Sequence, residues 1–349
     1  MKKNYKSLFE KWNPPSNWLK IKTIDYHTEG EPLRIIYGGL PEIKGKTILE
    51  KRRYFKENFD NLRTALMFEP RGHADMYGCI ITDPVTESAD FGVLFLHNEG
   101  YSTMCGHGII AVTKASIDTG MIEITYPVTE IKIDTPAGLV LSRAVIKNNA
   151  VESVRFNNVP SFVFAANRNL DVPGIGKINY DIAFGGAFYA FVNAEDAGVV
   201  LTAGNFRNLI EKGMVIKKAV MNDCIIRHPF ENELNFLYGT IFTGPPHNKN
   251  SHSRNVCIFA EGEVDRSPTG TGVSARMALH YSKGEIDKNK VITIESILGT
   301  SFTGKVVDTV RFGPYDAVIP EVGGKAFITG KHEFIIDPSD LLKEGFILR

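Results

Sequence analysis

The chain has 349 residues, a length that points to two hydrophobic cores rather than one. Forty basic residues balance forty acidic ones, which removes the electrostatic case for nucleic acid or an anionic membrane surface; the 43% hydrophobic and 23% charged fractions are ordinary for a soluble globular protein. Four scattered cysteines, Cys79, Cys105, Cys224 and Cys257, form neither a CxxC pair nor a disulfide framework, so a reducing, cytoplasmic setting is expected.

The basic N-terminal stretch has no apolar core of signal-peptide length, and no window reaches the roughly 18 apolar residues of a membrane span. Residues 1–20 read as an extension in which Pro14-Pro15 ends any helix attempted over 5–12. Strands are predicted over 21–26 and 33–37, flanking the polar segment His27-Thr28-Glu29-Gly30-Glu31-Pro32. Tyr54, Phe55, Phe59, Leu62 and Leu66 recur at helical spacing, which predicts an amphipathic helix over 51–66. A polar cluster with Arg71, His73 and Asp75 follows, then strands over 76–82 and 91–97.

The stretch Tyr101-Ser102-Thr103-Met104-Cys105-Gly106-His107-Gly108 opens an apolar helix that Gly120 stops. Short strands are predicted over 121–126, 130–135, 138–146 and 151–159, and Val159-Pro160-Ser161-Phe162 reads as a crossing into a second domain. There the pattern repeats. Phe184-Gly185-Gly186-Ala187-Phe188 reads as a strand turning through glycines, 203–218 as a helix, and 236–243 and 255–259 as strands. They lead to Asp265-Arg266-Ser267-Pro268-Thr269-Gly270-Thr271-Gly272, which opens a second apolar-rich helix over 273–281. Strands over 290–295, 303–309, 316–320 and 324–330 complete the chain.

Each of the two special loops places a small side chain bearing a heteroatom, then a glycine, at the start of a helix. The first free N–H groups of a helix converge there, and its dipole favours an anion. The same field favours a thiolate at Cys105. Two such starts facing each other would clamp a small anionic ligand between them. A helix with little polar face is expected to be wrapped by strands rather than to lie on a surface.

Other chemistries fit less well. Cys105 and His107 lack further ligands at zinc spacing. A cysteine nucleophile with His97, His107, His247 or His252 as its base stays open, because sequence does not place the histidines in space. Gly270-Thr271-Gly272 completes neither a P-loop nor a GxGxxG fingerprint. Asp265 reads as a turn residue or as a carboxylate for an ammonium group, and Glu29, Glu31, Arg71, His73 and Asp75 as a second polar group or a solvated loop.

Met104-Cys105-Gly106-His107-Gly108 and Asp265 to Gly272 closely resemble the proline racemase family, with support from His27 to Pro32, Arg71-Gly72-His73, Thr135-Pro136-Ala137-Gly138 and Phe184-Gly185-Gly186. The resemblance covers the chain from about Ile21 onward. It implies the α/β fold shared with diaminopimelate epimerase: two pseudo-symmetric domains, each a curled sheet around a central helix, with the site in the cleft between. The implied division is an extension over 1–20, a first domain over 21–158 plus 322–349 carrying Cys105, and a second over 159–321 carrying Asp265 and Thr269. Cofactor-independent proton transfer at an amino acid Cα, with no metal and often in a homodimer, is implied as well.

Racemases of the family carry a cysteine on each face of the substrate. Here the second position holds Thr269, whose hydroxyl is too weak an acid or base to serve alone. That Cys/Thr pairing resembles the trans-3-hydroxy-L-proline dehydratase branch, in which loss of the 3-hydroxyl replaces reprotonation of Cα. On that basis Cys105 is the expected base, while Thr269 either bonds near the departing oxygen or shapes the second face. Backbone N–H groups of Gly106, His107, Gly270 and Thr271 hold the carboxylate, and Asp265 holds the ring nitrogen. A 4-hydroxyproline epimerase or proline racemase is the alternative, and a non-catalytic binder of proline-like ligands the remote one.

Overall fold

The computed structural model describes residues 5–348, over which the chain forms eighteen strands and five α-helices. The predicted extension contributes α1 (Tyr5–Lys11), which buries no side chain and ends just before Pro14-Pro15; residues 1–4 of it lie outside the described residues.

In the first half, β1 (Leu19–Thr28) lies antiparallel between β18 (Ala326–Ile336) and β2 (Glu31–Gly38). Helix α2 (Ile48–Met67) crosses from β2 to the parallel β3 (Tyr77–Thr82), which pairs with β4 (Phe91–His97). β4 takes the short β5 (Gly100–Ser102) antiparallel and, after α3 (Gly106–Asp118), the parallel β6 (Val128–Thr135). β7 (Gly138–Lys147) and β8 (Ala150–Asn157) continue the sheet to β17 (Tyr315–Gly324).

The second half repeats the plan. β9 (Ser161–Val172), β10 (Gly176–Phe184) and β11 (Phe188–Asn193) are antiparallel, and α4 (Phe206–Asp223) crosses to the parallel β12 (Leu237–Gly244). β12 pairs with β13 (Ser253–Phe259), which takes the short β14 (Glu263–Val264) antiparallel and, after α5 (Gly270–Ser282), the parallel β15 (Ile292–Glu295). β16 (Ser301–Phe312) then pairs with β17, and β17 pairs with β9, closing a ring of eight strands.

Hydrophobic patterning explains the layering. All residues of α3 from Gly106 to Thr113 are buried, as are those of α5 from Gly270 to His280, and strands of the curled sheet wrap each helix. One apolar cluster joins both, with Ile109 and Ile110 of α3 and Val273 and Met277 of α5 at 0% exposure. Burying each such side chain contributes about 1.5–3 kcal/mol. The amphipathic helices stay outside: α2 covers a cluster around Phe55 and Leu66, and α4 one around Leu209 and Ile216.

Two segments depart from the sequence expectation. Residues 121–126 form no strand; Ile122 and Ile124 dock on the core while Ile122 N–H donates to Ser116 and Thr125 N–H to the Thr129 hydroxyl. Those local bonds take the donors that a sheet neighbour would have used. Conversely, the twelve-residue β9 carried no alternation, because Asn167, Arg168 and Asn169 all lie on an exposed stretch.

Candidate active site

The two helix starts meet at the centre of the molecule. Cys105 is the N-cap of α3, with extended backbone, and its Sγ accepts the Gly108 N–H at 3.2 Å, the service a capping serine or aspartate performs elsewhere. Thr269 is the N-cap of α5, at φ +67°, and its side chain caps nothing. Positive φ is an outlier for a β-branched residue and costs of order 1–3 kcal/mol. The loop is held from outside: Asn255 donates to the Pro268 carbonyl at 3.0 Å, Arg276 donates to Asn255, and the Ser267 hydroxyl accepts the Thr269 N–H.

Cys105, Gly106, His107, Asp265, Thr269, Gly270 and Thr271 all line one small cavity of about 30 Å³. The structure thus brings together every residue that the sequence singled out for the site. Tyr77, Cys105 and His107 form the wall from the first half; Asp265, Thr269 and Cys257 form the wall from the second. The first N–H groups of both helices have no intrahelical partner and open on this space.

Burial sets the electrostatics. It pushes the Cys105 thiol well above its ordinary range, with only partial relief from the Gly108 N–H and the Tyr77 hydroxyl. The expectation that the helix start lowers this thiol is therefore reversed: desolvation outweighs the dipole. Burial likewise holds the His107 imidazole down at about 3, so the ring is neutral. Its Nδ1 lies 3.3 Å from Cys105 Sγ, and the ring packs edge-on to Tyr77. Asp265 is raised by burial, offset by its contacts with Ser267, whose N–H donates to Oδ1 at 2.8 Å. Glu31 is fully buried behind it; burial and Asp265 drive its carboxyl well up, and its Oε2 accepts the Arg266 N–H at 2.7 Å.

This geometry is matched by relatives. Residues 23–347 match the proline racemase family over most of the chain.

The chain belongs to the proline racemase family.

A trans-3-hydroxy-L-proline dehydratase of Colwellia psychrerythraea is 51% identical over 98% of this chain and 97% of its own. A proline racemase of Acetoanaerobium sticklandii is 42% identical over 93% and 98%. The structure of a hydroxyproline epimerase from Agrobacterium vitis with bound trans-4-hydroxy-L-proline has a TM-score of 0.87 at 30% identity, over 95% of this chain and 96% of that one. The fold is thus that of the proline racemase and diaminopimelate epimerase group: two pseudo-symmetric halves, each a curled sheet around a central helix, with the cavity between.

Of the histidines weighed from sequence, only His107 lines the cavity of this proline racemase family chain. His97 stands one layer back, stacked on Tyr77. His247 bonds Arg254, and His252 packs on His280. His27 accepts the Gly30 N–H within its own turn, and His73 is exposed. Glu31 and Asp75 do reach the second loop, where both pair with Arg266.

Sequence reasoning missed three phenols. Tyr77, Tyr189 and Tyr238 also line the cavity, from β3, β11 and β12. The Tyr77 hydroxyl donates to Ser102, Tyr238 lies 3.5 Å from that same Ser102 oxygen, and Tyr189 is 2.6 Å from the Thr271 hydroxyl. Each falls within a predicted strand, and no motif in the sequence joins them. Beyond Met104 and Tyr238 opens a groove of about 660 Å³, bridged by Arg52 and Glu233 at 2.6 Å. Among the described residues no helix is long and apolar enough to cross a membrane.

Proposed function

We propose that the chain dehydrates trans-3-hydroxy-L-proline without a cofactor, giving Δ2-pyrroline-2-carboxylate, which tautomerises to the Δ1 form. The observation that carries the reading is the unequal pair of helix caps. The cap of one helix is a thiol, Cys105, and that of the other a hydroxyl, Thr269, while the cavity's second thiol, Cys257, stands on β13 rather than at a helix start, so only one of the two caps is a competent base.

In this reading the substrate carboxylate lies on the N–H groups of Gly106, His107, Gly270 and Thr271, where negative charge develops as Cα loses its proton. Asp265 holds the ring ammonium. That positive charge, arriving beside a buried thiol and a buried carboxylate, favours the thiolate and so relieves the desolvation that disfavours it in the empty site. In the trans isomer the 3-hydroxyl stands on the same ring face as the Cα hydrogen. Both groups that leave therefore face Cys105, and Thr269 shapes the opposite face. The second cysteine of a racemase has nothing to do in this reaction.

The family resemblance also supports a homodimer, checked by light scattering on the eluting peak. Incubation in D2O with trans-3-hydroxy-L-proline and with L-proline tests the reaction itself. Loss of water from the first, without inversion of the second, is expected. Inverted, deuterated proline at a comparable rate would identify an isomerase instead.

A further inference from the structure

The dehydration above needs a proton for the departing hydroxide, and neither helix cap offers one of its own. Cys105 is occupied with the proton from Cα, and Thr269 faces the other side of the ring. The donor must therefore stand on the Cys105 wall.

Three phenols border the cavity, and they differ in their partners. Tyr189 is tied to Thr271 at 2.6 Å, on the second helix start. Tyr238 sits at the outer boundary, shared between the cavity and the large groove. Tyr77 alone of the three has its hydroxyl beside the Cys105 thiol, and its ring packs against His107 at 4.7 Å between centroids. Ser102 accepts the Tyr77 O–H from behind and holds the oxygen in place; to reach the substrate that proton turns from Ser102 toward the cavity.

Resting on that reading of the reaction, we propose that Tyr77 is the general acid that protonates the departing 3-hydroxyl. The step balances within the site. The Cys105 thiolate takes the Cα proton; the C–H electron pair forms the C2=C3 bond and the C3–O bond breaks. The Tyr77 O–H proton passes to the leaving oxygen, which departs as water. The proton now on Cys105 returns to the neighbouring Tyr77 oxygen, restoring both groups for the next turnover. Burial holds the Tyr77 hydroxyl well above its ordinary value, so the phenol is protonated whenever substrate binds and its transfer is coupled to the refill from sulfur.

The experiment compares trans-3-hydroxy-L-proline with trans-3-fluoro-L-proline, whose fluoride leaves with far less need of an acid. Tyr77→Phe should lower kcat for dehydration by roughly a hundredfold or more, the usual share of a general acid, while HF elimination from the fluoro compound falls only a few-fold. Fluoride release by the variant also proves that it is folded and that Cys105 works. Equal losses on both substrates, or undiminished dehydration, would overturn the assignment. Should the variant fail to fold, 3,5-difluorotyrosine at position 77 keeps the shape and makes the phenol more acidic. The alkaline limb of kcat must then move to lower pH, and an unmoved limb overturns the role. Wild type that releases fluoride but no water would instead overturn the dehydratase reading, which keeps the two failures apart.

Discussion

A methyl group placed on Gly106 would lie 2.7 Å from the Cα of Gly270, and one on Gly270 would lie 2.8 Å from the Cα of Gly106. The two helix starts touch backbone to backbone, and any side chain at either position forces them apart. Gly270→Ala is expected to lower kcat/KM by roughly a hundredfold, because displacements near 1 Å at a reacting centre cost about that much. Steady-state kinetics beside a melting curve decide it. Wild-type kinetics in the variant would mean that this contact does not set the geometry.

Cys105→Ser should abolish turnover, since a serine hydroxyl is several units less acidic than a thiol. The wild-type pH profile carries the same signature. Burial raises this thiol and the active form is the thiolate, so kcat/KM should climb with pH on the alkaline side of neutrality as the proton is lost. A profile already flat at and below pH 7 would show that the free enzyme carries a thiolate.

Asp265→Asn keeps the shape and removes the charge offered to the ring ammonium. A charge-assisted hydrogen bond contributes about 1.5–3 kcal/mol, so kcat/KM should fall roughly tenfold to a hundredfold. An unchanged value would reduce Asp265 to a turn residue that caps the Ser267 N–H.

Thr269→Cys places a thiol at the second helix start, next to the one that Cys257 brings to that wall from β13. Wild type is expected to show negligible inversion of L-proline or trans-4-hydroxy-L-proline, and the variant a detectable rate for one of them by chiral chromatography. Fast inversion by wild type would sink the dehydratase reading. None in a folded variant would show that position 269 does not alone decide the reaction.

Outside the cavity lining, Arg254 and Glu295 form a buried pair at 2.7 Å, with 1% and 2% of their side chains exposed. Glu295 also accepts the N–H groups of His247 and Asn248, and these contacts hold its carboxyl at about 2, below the ordinary 4.5. A depressed acid stabilises the folded state above its unfolded pKa, and that share is lost as pH falls from about 4.5 to 2. Arg254→Met should cost about 3–5 kcal/mol, because it strands a buried charge. Urea titrations at pH 7 and pH 3 should show the variant's deficit shrinking in acid.

What was legible in the sequence was contiguous in it. Cys105 with Gly106, and Thr269 with Gly270, each announce a helix start within three residues, and the structure sets both on one cavity. Tyr77, Tyr189 and Tyr238 arrive from three strands, and nothing along the chain marks a buried strand tyrosine as belonging to a site rather than to the core. The helix-start argument for Cys105 had the right local field and the wrong net sign. Desolvation depends on how completely the other half covers the sulfur, which is a tertiary fact. β9 escaped because its middle is exposed and polar, so its pairing with β10 supplies the order that hydrophobic alternation did not.

One strand has two employers. β17 gives Ala317 and Val318 to β9 and Glu321 to Gly324 to β8, while its whole length runs beside β16. It is a stave common to two casks, and neither cask is watertight without it. A calorimeter should therefore record one melting transition rather than two, and neither half should survive expression alone.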